Sequence, residues 1–252
     1  MISQRSAPLY DQFYLDKGEG EPIVLLHGLF GSLSNWTSVV DNLSKNYRVI
    51  IPRLPIFEVP QHQANLEKLT LVLDEFFDWH QLSDITLIGN SMGGHLALLY
   101  TLHKPHNVKR LILTGSSGLF ENTLGATFPR VKDYAFIHKK VSYTFYNKEV
   151  VTKELVDEVY DTVQSIPKTL RLLGLARSAQ QNNLSESLYK INQPVLLIWG
   201  LQDEITPPET ALHFHDLLPH SDLKFIDHCG HVPMMEHPDL FNQYVNEFLK
   251  NQ

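Results

Sequence analysis

The chain has 252 residues, 43% of them hydrophobic and 19% charged, a globular balance that can bury a large core. The net charge of −7, without a basic cluster, argues against nucleic acid and anionic membranes as partners and leaves a small-molecule substrate. One cysteine, no apolar stretch of about 18 residues and no apolar leader together predict a cytoplasmic protein, whose oligomeric state the sequence leaves open.

The elements, taken in chain order, alternate between strands and helices. Apolar spacing predicts a hairpin over residues 9–26, a helix that buries Trp36 and Leu43, a strand over residues 48–51 and a helix over residues 66–79. Strands follow over residues 85–88 and 109–114, and the alternation resumes at residue 194. This order predicts the α/β class, with a mostly parallel twisted sheet covered by helices on both faces.

A candidate nucleophile lies in the pentapeptide Gly89-Asn90-Ser91-Met92-Gly93. A G-x-S-x-G run by itself is weak, because small residues around a serine are common. Here an apolar strand precedes the run and a helical pattern follows it, the strand–turn–helix context of a nucleophile elbow. Glycine supplies the space that such a sharp turn requires. Ser91 is therefore the candidate nucleophile.

The candidate base and acid lie in loops that follow the last strands. His231 comes after a short apolar strand and a Gly turn and precedes the final helix, with His228 as the rival base. Asp203 follows a continuous apolar strand and precedes a Thr-Pro helix start, with Glu204 as the rival acid. The order Ser91, Asp203, His231 is that of a nucleophile–acid–base triad in the α/β-hydrolases.

Two backbone amides are candidates for an oxyanion hole. Met92 directly follows the nucleophile, and a glycine-containing turn after the first buried strand offers Leu29, with Phe30 as the alternative donor. His27, at the start of that turn, is interpreted as a structural histidine that bridges loops.

Four segments, HGLFG, GNSMGG, GLQDEITP and CGHVPMMEHP, occur in the order found in the α/β-hydrolase superfamily, which the chain resembles over nearly its whole length. Within it, the motifs are most similar to those of the meta-cleavage-product hydrolases, which cleave carbon–carbon bonds, and of related esterases. The resemblance implies the α/β-hydrolase fold, the Ser91–Asp203–His231 triad and no metal or organic cofactor. It also implies a helical cap over residues 118–187, here called the cap segment, inserted into a core of residues 1–117 and 188–252.

Residues that line the substrate pocket are also candidates. Residues 120–146 contain seven aromatics, some of which we expect to line an apolar pocket and the others to join the cap segment to the core. We expect the substrate to contact the side chains of Phe30, Phe128, Phe136 and Val232.

The chain departs from the carbon–carbon hydrolases at two positions. Val232 replaces a Trp after the histidine, and Val159 replaces a carboxylate-binding Arg, for which Arg171 or Arg177 could compensate. Because a buried carboxylate without a cation is costly, the sequence favours a serine hydrolase of small apolar esters. The alternatives are a carbon–carbon bond hydrolase of dienoates and a small-ligand receptor with slow turnover.

Overall fold

The computed structural model describes residues 14–31, 36–120 and 132–251. Within them the strands are β1 (Tyr14–Lys17), β2 (Pro22–Leu26), β3 (Arg48–Pro52), β4 (Ile85–Asn90), β5 (Val108–Thr114), β6 (Val195–Gly200) and β7 (Ser221–Ile226). They form a single sheet with the order β1-β3-β2-β4-β5-β6-β7. Every neighbouring pair from β3 to β7 is parallel, as predicted.

The opening hairpin predicted over residues 9–26 is wrong in its pairing. β1 runs antiparallel to β3, with Tyr14 opposite Pro52 and Lys17 opposite Val49, and β2 lies on the other side of β3. Short-range turn signals cannot reveal this order, because β2 satisfies both of its edges with parallel partners, β3 and β4. The antiparallel strand is thereby left at the edge of the sheet.

Helices cover both faces of this sheet. Every residue of β4 and of β6 is buried, and since side chains alternate between faces, neither face of the sheet centre contacts water. The helices are α1 (Thr37–Leu43), α2 (Leu66–Trp79), α3 (Met92–His103), α4 (Tyr134–Ser142), α5 (Lys153–Gln164), α6 (Ile166–Gln181), α7 (Pro208–Leu217), α8 (Pro233–Glu236) and α9 (Pro238–Lys250). α2 packs on α3, which lies against β2, β4 and β5, whereas α1 packs on α9.

The described part of the cap segment contains helices and no strand. α4 packs on α5 and α5 on α6, and α6 reaches the core through α2 and the short helical turn Gln61–Gln63. The α6 residue Gly174 allows this approach, because a Cβ there would lie 2.7 Å from the carbonyl oxygen of Ala64. Across the described residues, no helix is both long and apolar enough to cross a membrane.

Candidate active site

Ser91 occupies a strained turn between β4 and α3. Its φ of 55° and ψ of −122° lie in a region that side chains with a Cβ rarely adopt. The surrounding backbone holds it there: its N–H donates to the carbonyl oxygen of Thr114 at 3.1 Å, and its carbonyl oxygen accepts from the N–H groups of His95 and Ser117, both at 3.2 Å. Strain maintained by three hydrogen bonds is typical of a functional position.

Glycines make the close approaches around this turn possible. A Cβ on Gly89 would lie 2.5 Å from the amide nitrogen of Gly94, and one on Gly93 would overlap the carbonyl oxygen of Leu26. The elbow therefore needs glycine on both sides of Ser91 because the start of α3 lies directly against the backbones of β4 and β2.

Asp203 and His231 form a buried pair at the carboxyl edge of the sheet. His231 Nδ1 donates to Asp203 Oδ2 at 2.9 Å, and the two residues are 5% and 3% exposed. The other carboxylate oxygen, Oδ1, accepts from the N–H groups of Ile205 and Thr206, at 2.8 and 2.9 Å. Since Nδ1 carries the proton toward Asp203, Nε2 is the nitrogen that remains to accept a proton.

Two further residues position this pair and were not identified from the sequence. Thr206 Oγ1 donates to Asp203 Oδ2 at 2.8 Å, and Asn90 Nδ2 donates at 3.0 Å to the carbonyl oxygens of both His231 and Thr114. Asn90 thus ties the histidine loop to the nucleophile strand. In the sequence, the position of Asn90 beside Ser91 and that of Thr206 at a predicted helix start could have indicated these two residues.

The rival base and the rival acid lie outside this pair, and His27 has a structural environment. His228 is exposed and pairs with Asp227, and Glu204 is also exposed. His27 is buried, donates through Nδ1 to the Gly28 carbonyl oxygen at 2.8 Å and accepts from Leu54 N–H at 3.4 Å. Burial lowers the pKa of the His27 imidazole, so a neutral, loop-bridging histidine fits the interpretation from the sequence.

A cavity of about 360 Å³ contains Ser91 and His231 in its wall. Both candidate oxyanion donors, Leu29 and Met92, line it as well. Met92 is the first residue of α3, where its N–H has no acceptor within the helix and is available to a ligand. The structure thus brings the candidate nucleophile, the candidate base and the two amide-bearing residues to one space.

The remaining wall of the cavity comes largely from apolar side chains of the cap segment. Of the predicted substrate contacts, Phe30, Phe136 and Val232 line the cavity, and Phe128 lies outside the described residues. Val159 lines it too, and together with Leu29 and Phe30 it also borders a second cavity of about 390 Å³.

The cations near the cavity differ from those considered in the sequence. Arg171 does not line it, and its guanidinium donates to the carbonyl oxygens of Val59 and Pro167 at 2.8 and 2.9 Å. Arg177 lines the cavity and is exposed, and Lys140, which the sequence did not single out, lines it and is half-buried. The described wall of the cavity therefore contains cations although it also contains Val159, where the sequence predicted the loss of a carboxylate-binding arginine.

Comparisons with known proteins agree with this architecture. A family model described as alpha/beta hydrolase fold matches residues 21–238. The 2-hydroxy-6-oxo-2,4-heptadienoate hydrolase of Pseudomonas putida is 30% identical over 256 residues, which cover 93% of this chain and 91% of that protein. These matches confirm the fold and the similarity to carbon–carbon hydrolases that the motifs indicated.

Solved structures agree as well. An alpha/beta hydrolase enzyme from the metagenome of lagoon sediments at Mar Chica, Morocco, is 41% identical, with a TM-score of 0.79 and coverage of 94% of both chains. The meta-cleavage product hydrolase of Pseudomonas fluorescens IP01 is 25% identical, with a TM-score of 0.84 and coverage of 94% of this chain and 93% of that one.

Proposed function

Because this chain belongs to the α/β-hydrolase family, we propose that it is a serine hydrolase that cleaves a bond beside a carbonyl group in a small, largely apolar substrate. The observation that carries the proposal is the 2.9 Å bond between Asp203 and His231 at a cavity that also exposes Ser91. His231 takes the proton of Ser91 as its oxygen attacks the carbonyl carbon, and Asp203 stabilises the resulting imidazolium. Water then releases the acyl group from Ser91.

The amides of Met92 and Leu29 donate to the oxyanion that forms on the carbonyl oxygen. The cap segment, residues 118–187, acts as the lid over the core of residues 1–117 and 188–252. Its apolar side chains, Phe136 among them, exclude water from the cavity and so strengthen these hydrogen bonds.

The first candidate for the scissile bond is the carbon–carbon bond of a dienoate. The names of the hydrolases from Pseudomonas putida and Pseudomonas fluorescens support this chemistry over the ester hydrolysis that the sequence favoured. The argument against a carboxylate-bearing substrate also weakens, since Lys140 and Arg177 line the cavity. In this reaction the dienol first tautomerises to a ketone, which moves its hydroxyl proton to the carbon beside the reacting carbonyl. After Ser91 attacks, the electrons of the broken bond pass through the remaining double bond to that ketone oxygen, and His231 gives the proton taken from Ser91 to the resulting enolate.

The second candidate is hydrolysis of small neutral esters. Val159 and Val232 line the cavity at the positions where we expect the carbon–carbon hydrolases to carry an arginine and a tryptophan, and both add apolar surface to its wall. A neutral ester with a short apolar acyl chain suits such a wall and requires no cation.

Parallel kinetics on two substrates test the proposal. We would measure kcat/KM for 2-hydroxy-6-oxo-2,4-heptadienoate and for p-nitrophenyl butyrate, each with the wild type and with Ser91→Ala as the matched control. We expect multiple turnovers that depend on Ser91, with the larger kcat/KM for the dienoate. An ester preference of about 10²-fold, equal to about 2.7 kcal/mol, would reverse the order of the two candidates. Binding of either substrate without turnover would favour the slow-turnover receptor.

A further inference from the structure

The charged residues that line the active-site cavity are basic, whereas the protein as a whole is acidic. The chain carries 28 acidic and 21 basic residues, Arg and Lys counted together. Among the described residues that line the cavity there is no Asp or Glu, whereas Lys140 and Arg177 both contribute to it. Asp203 is hydrogen-bonded to His231 and does not line the cavity. Lys140 and Arg177 are therefore the charged residues, besides the histidine, in the described wall of the cavity of an acidic protein, and they favour an anionic ligand.

Lys140 is the better placed of the two cations. It lies in the last turn of α4 and is half-buried, with its ammonium nitrogen 5.7 Å from the ring centre of Phe136 and 5.3 Å from that of Tyr143. Within the described part of the chain it forms no ion pair with a carboxylate. The two rings hold the ammonium by cation–π attraction but leave its N–H groups without an anionic acceptor.

The backbone connects Lys140 to the catalytic histidine. The carbonyl oxygen of Thr144, just after α4, accepts from the N–H of His231 at 2.8 Å. The turn between them stays compact, because Tyr143 N–H donates to the Lys140 carbonyl oxygen at 3.2 Å. Thr144 follows Lys140 by four residues and lies just beyond the end of α4. The end of α4 is thus fixed to the histidine loop, and Lys140 with it.

We propose that Lys140 binds the carboxylate of an anionic substrate whose reacting carbonyl lies at Ser91, and that it is the residue that selects anionic over neutral substrates. This proposal rests on the proposed hydrolase function of the same cavity. The carboxylate accepts hydrogen bonds from the ammonium group, while Phe136 and the apolar wall pack against the rest of the substrate. Arg177, being exposed, lies at the rim and draws anions toward the cavity without fixing their position.

A matched pair of esters separates the effect of substrate charge from that of the bond that is cleaved, because both esters contain the same p-nitrophenyl ester bond. Mono-p-nitrophenyl glutarate carries a terminal carboxylate, and p-nitrophenyl butyrate is a neutral ester with a similarly short acyl chain. We expect Lys140→Met to lower kcat/KM for the glutarate ester by at least about tenfold, equal to about 1.4 kcal/mol, and to change that for the butyrate ester less than about twofold. Lys140→Arg should retain the preference, and Lys139→Met, on the neighbouring exposed lysine, should not alter it.

Binding to the Ser91→Ala protein, measured by titration calorimetry, separates this proposal from the hydrolase function. In that background Lys140→Met should weaken binding of the glutarate ester at least about tenfold and leave binding of the butyrate ester unchanged. This result does not depend on whether the protein with Ser91 intact shows turnover. Two results would overturn the role of Lys140: an equal effect on both esters, or a loss of the preference in Arg177→Met but not in Lys140→Met. Comparable affinity of the Ser91→Ala protein, with Lys140 intact, for the two esters would contradict the proposal that the substrate is anionic.

Discussion

The carboxylate of Asp203 and the imidazole of His231 are joined by a 2.9 Å hydrogen bond in a site where both side chains are almost completely buried. Thr206 donates a hydroxyl and a backbone N–H to the same carboxylate. A carboxylate with this many donors is held in one orientation, and the ring of His231 is fixed with its Nδ1 proton toward the acid. The candidate acid and base therefore form one rigid unit, with Nε2 free for proton transfer.

Replacing the acid tests that unit. Asp203→Asn should lower turnover by roughly 10⁴-fold while the protein stays folded, because the amide no longer stabilises the imidazolium and favours the wrong tautomer. Steady-state kinetics and circular dichroism would measure the two effects. Glu204→Gln is the matched control and should stay close to the wild type. The reverse pattern would transfer the role of the acid to Glu204.

A covalent probe tests the nucleophile. A fluorophosphonate should label Ser91, since its position at the strained elbow combines a general base with oxyanion donors, and Ser91→Ala should remove at least about 10³-fold of activity. Peptide mapping by mass spectrometry would locate the label. Ser116 and Ser117 lie close to the elbow but are fully buried. A label on either of them, or on Ser34, would contradict the assignment.

The elbow glycine Gly93 offers a test of packing. In Gly93→Ala the new methyl group would overlap the carbonyl oxygen of Leu26, a backbone atom that can move only if β2 and α3 separate. We expect a loss of at least about 2 kcal/mol in the free energy of unfolding, measured by urea denaturation, together with loss of activity. Glu75→Gly, at an exposed position inside α2, serves as a control for a change in helix propensity of about 1 kcal/mol. Wild-type stability in Gly93→Ala would show that the elbow is less tightly packed.

Buried His95 predicts how stability depends on pH. Burial lowers the pKa of its imidazole from 6.5 to about 4. Below pH 6.5 the unfolded chain gains a proton that the folded protein does not accept, so stability falls as the pH drops from 6.5 to about 4 and levels off below. The contribution of His95 is fully present above pH 6.5 and amounts to about 3 kcal/mol over this interval.

Urea denaturation at several pH values between 4 and 7 would measure this slope. The variant His95→Asn should show a flatter profile than the wild type, because asparagine does not titrate in this interval. His62→Asn, at an exposed position, is the control and should keep the wild-type slope. Parallel curves for the wild type and His95→Asn would show that other groups, such as His27, account for the acid sensitivity.

The sequence by itself determined the features that depend on local spacing. Strand–turn–helix context around Ser91 is local because the elbow consists of neighbouring residues, and a continuous apolar run such as β6 indicates a strand buried on both faces wherever it lies in the sheet. Since every parallel strand ends at the same edge, the loops that carry Asp203 and His231 were expected to meet there. Their hydrogen bond is one that the order of motifs had indicated.

Only the tertiary structure decided which distant residues meet. β1 pairs with β3 instead of β2. This pairing depends on the order of the strands in the sheet, which turn sequences do not indicate. Whether a cation reaches the cavity depends on how α4 and α6 lie against the core. Arg171 turns to backbone carbonyl oxygens, whereas Lys140 enters the wall because the end of α4 is bound to the histidine loop through Thr144. The direction of a side chain follows from such packing between distant segments. It cannot be predicted from the spacing of residues along the chain.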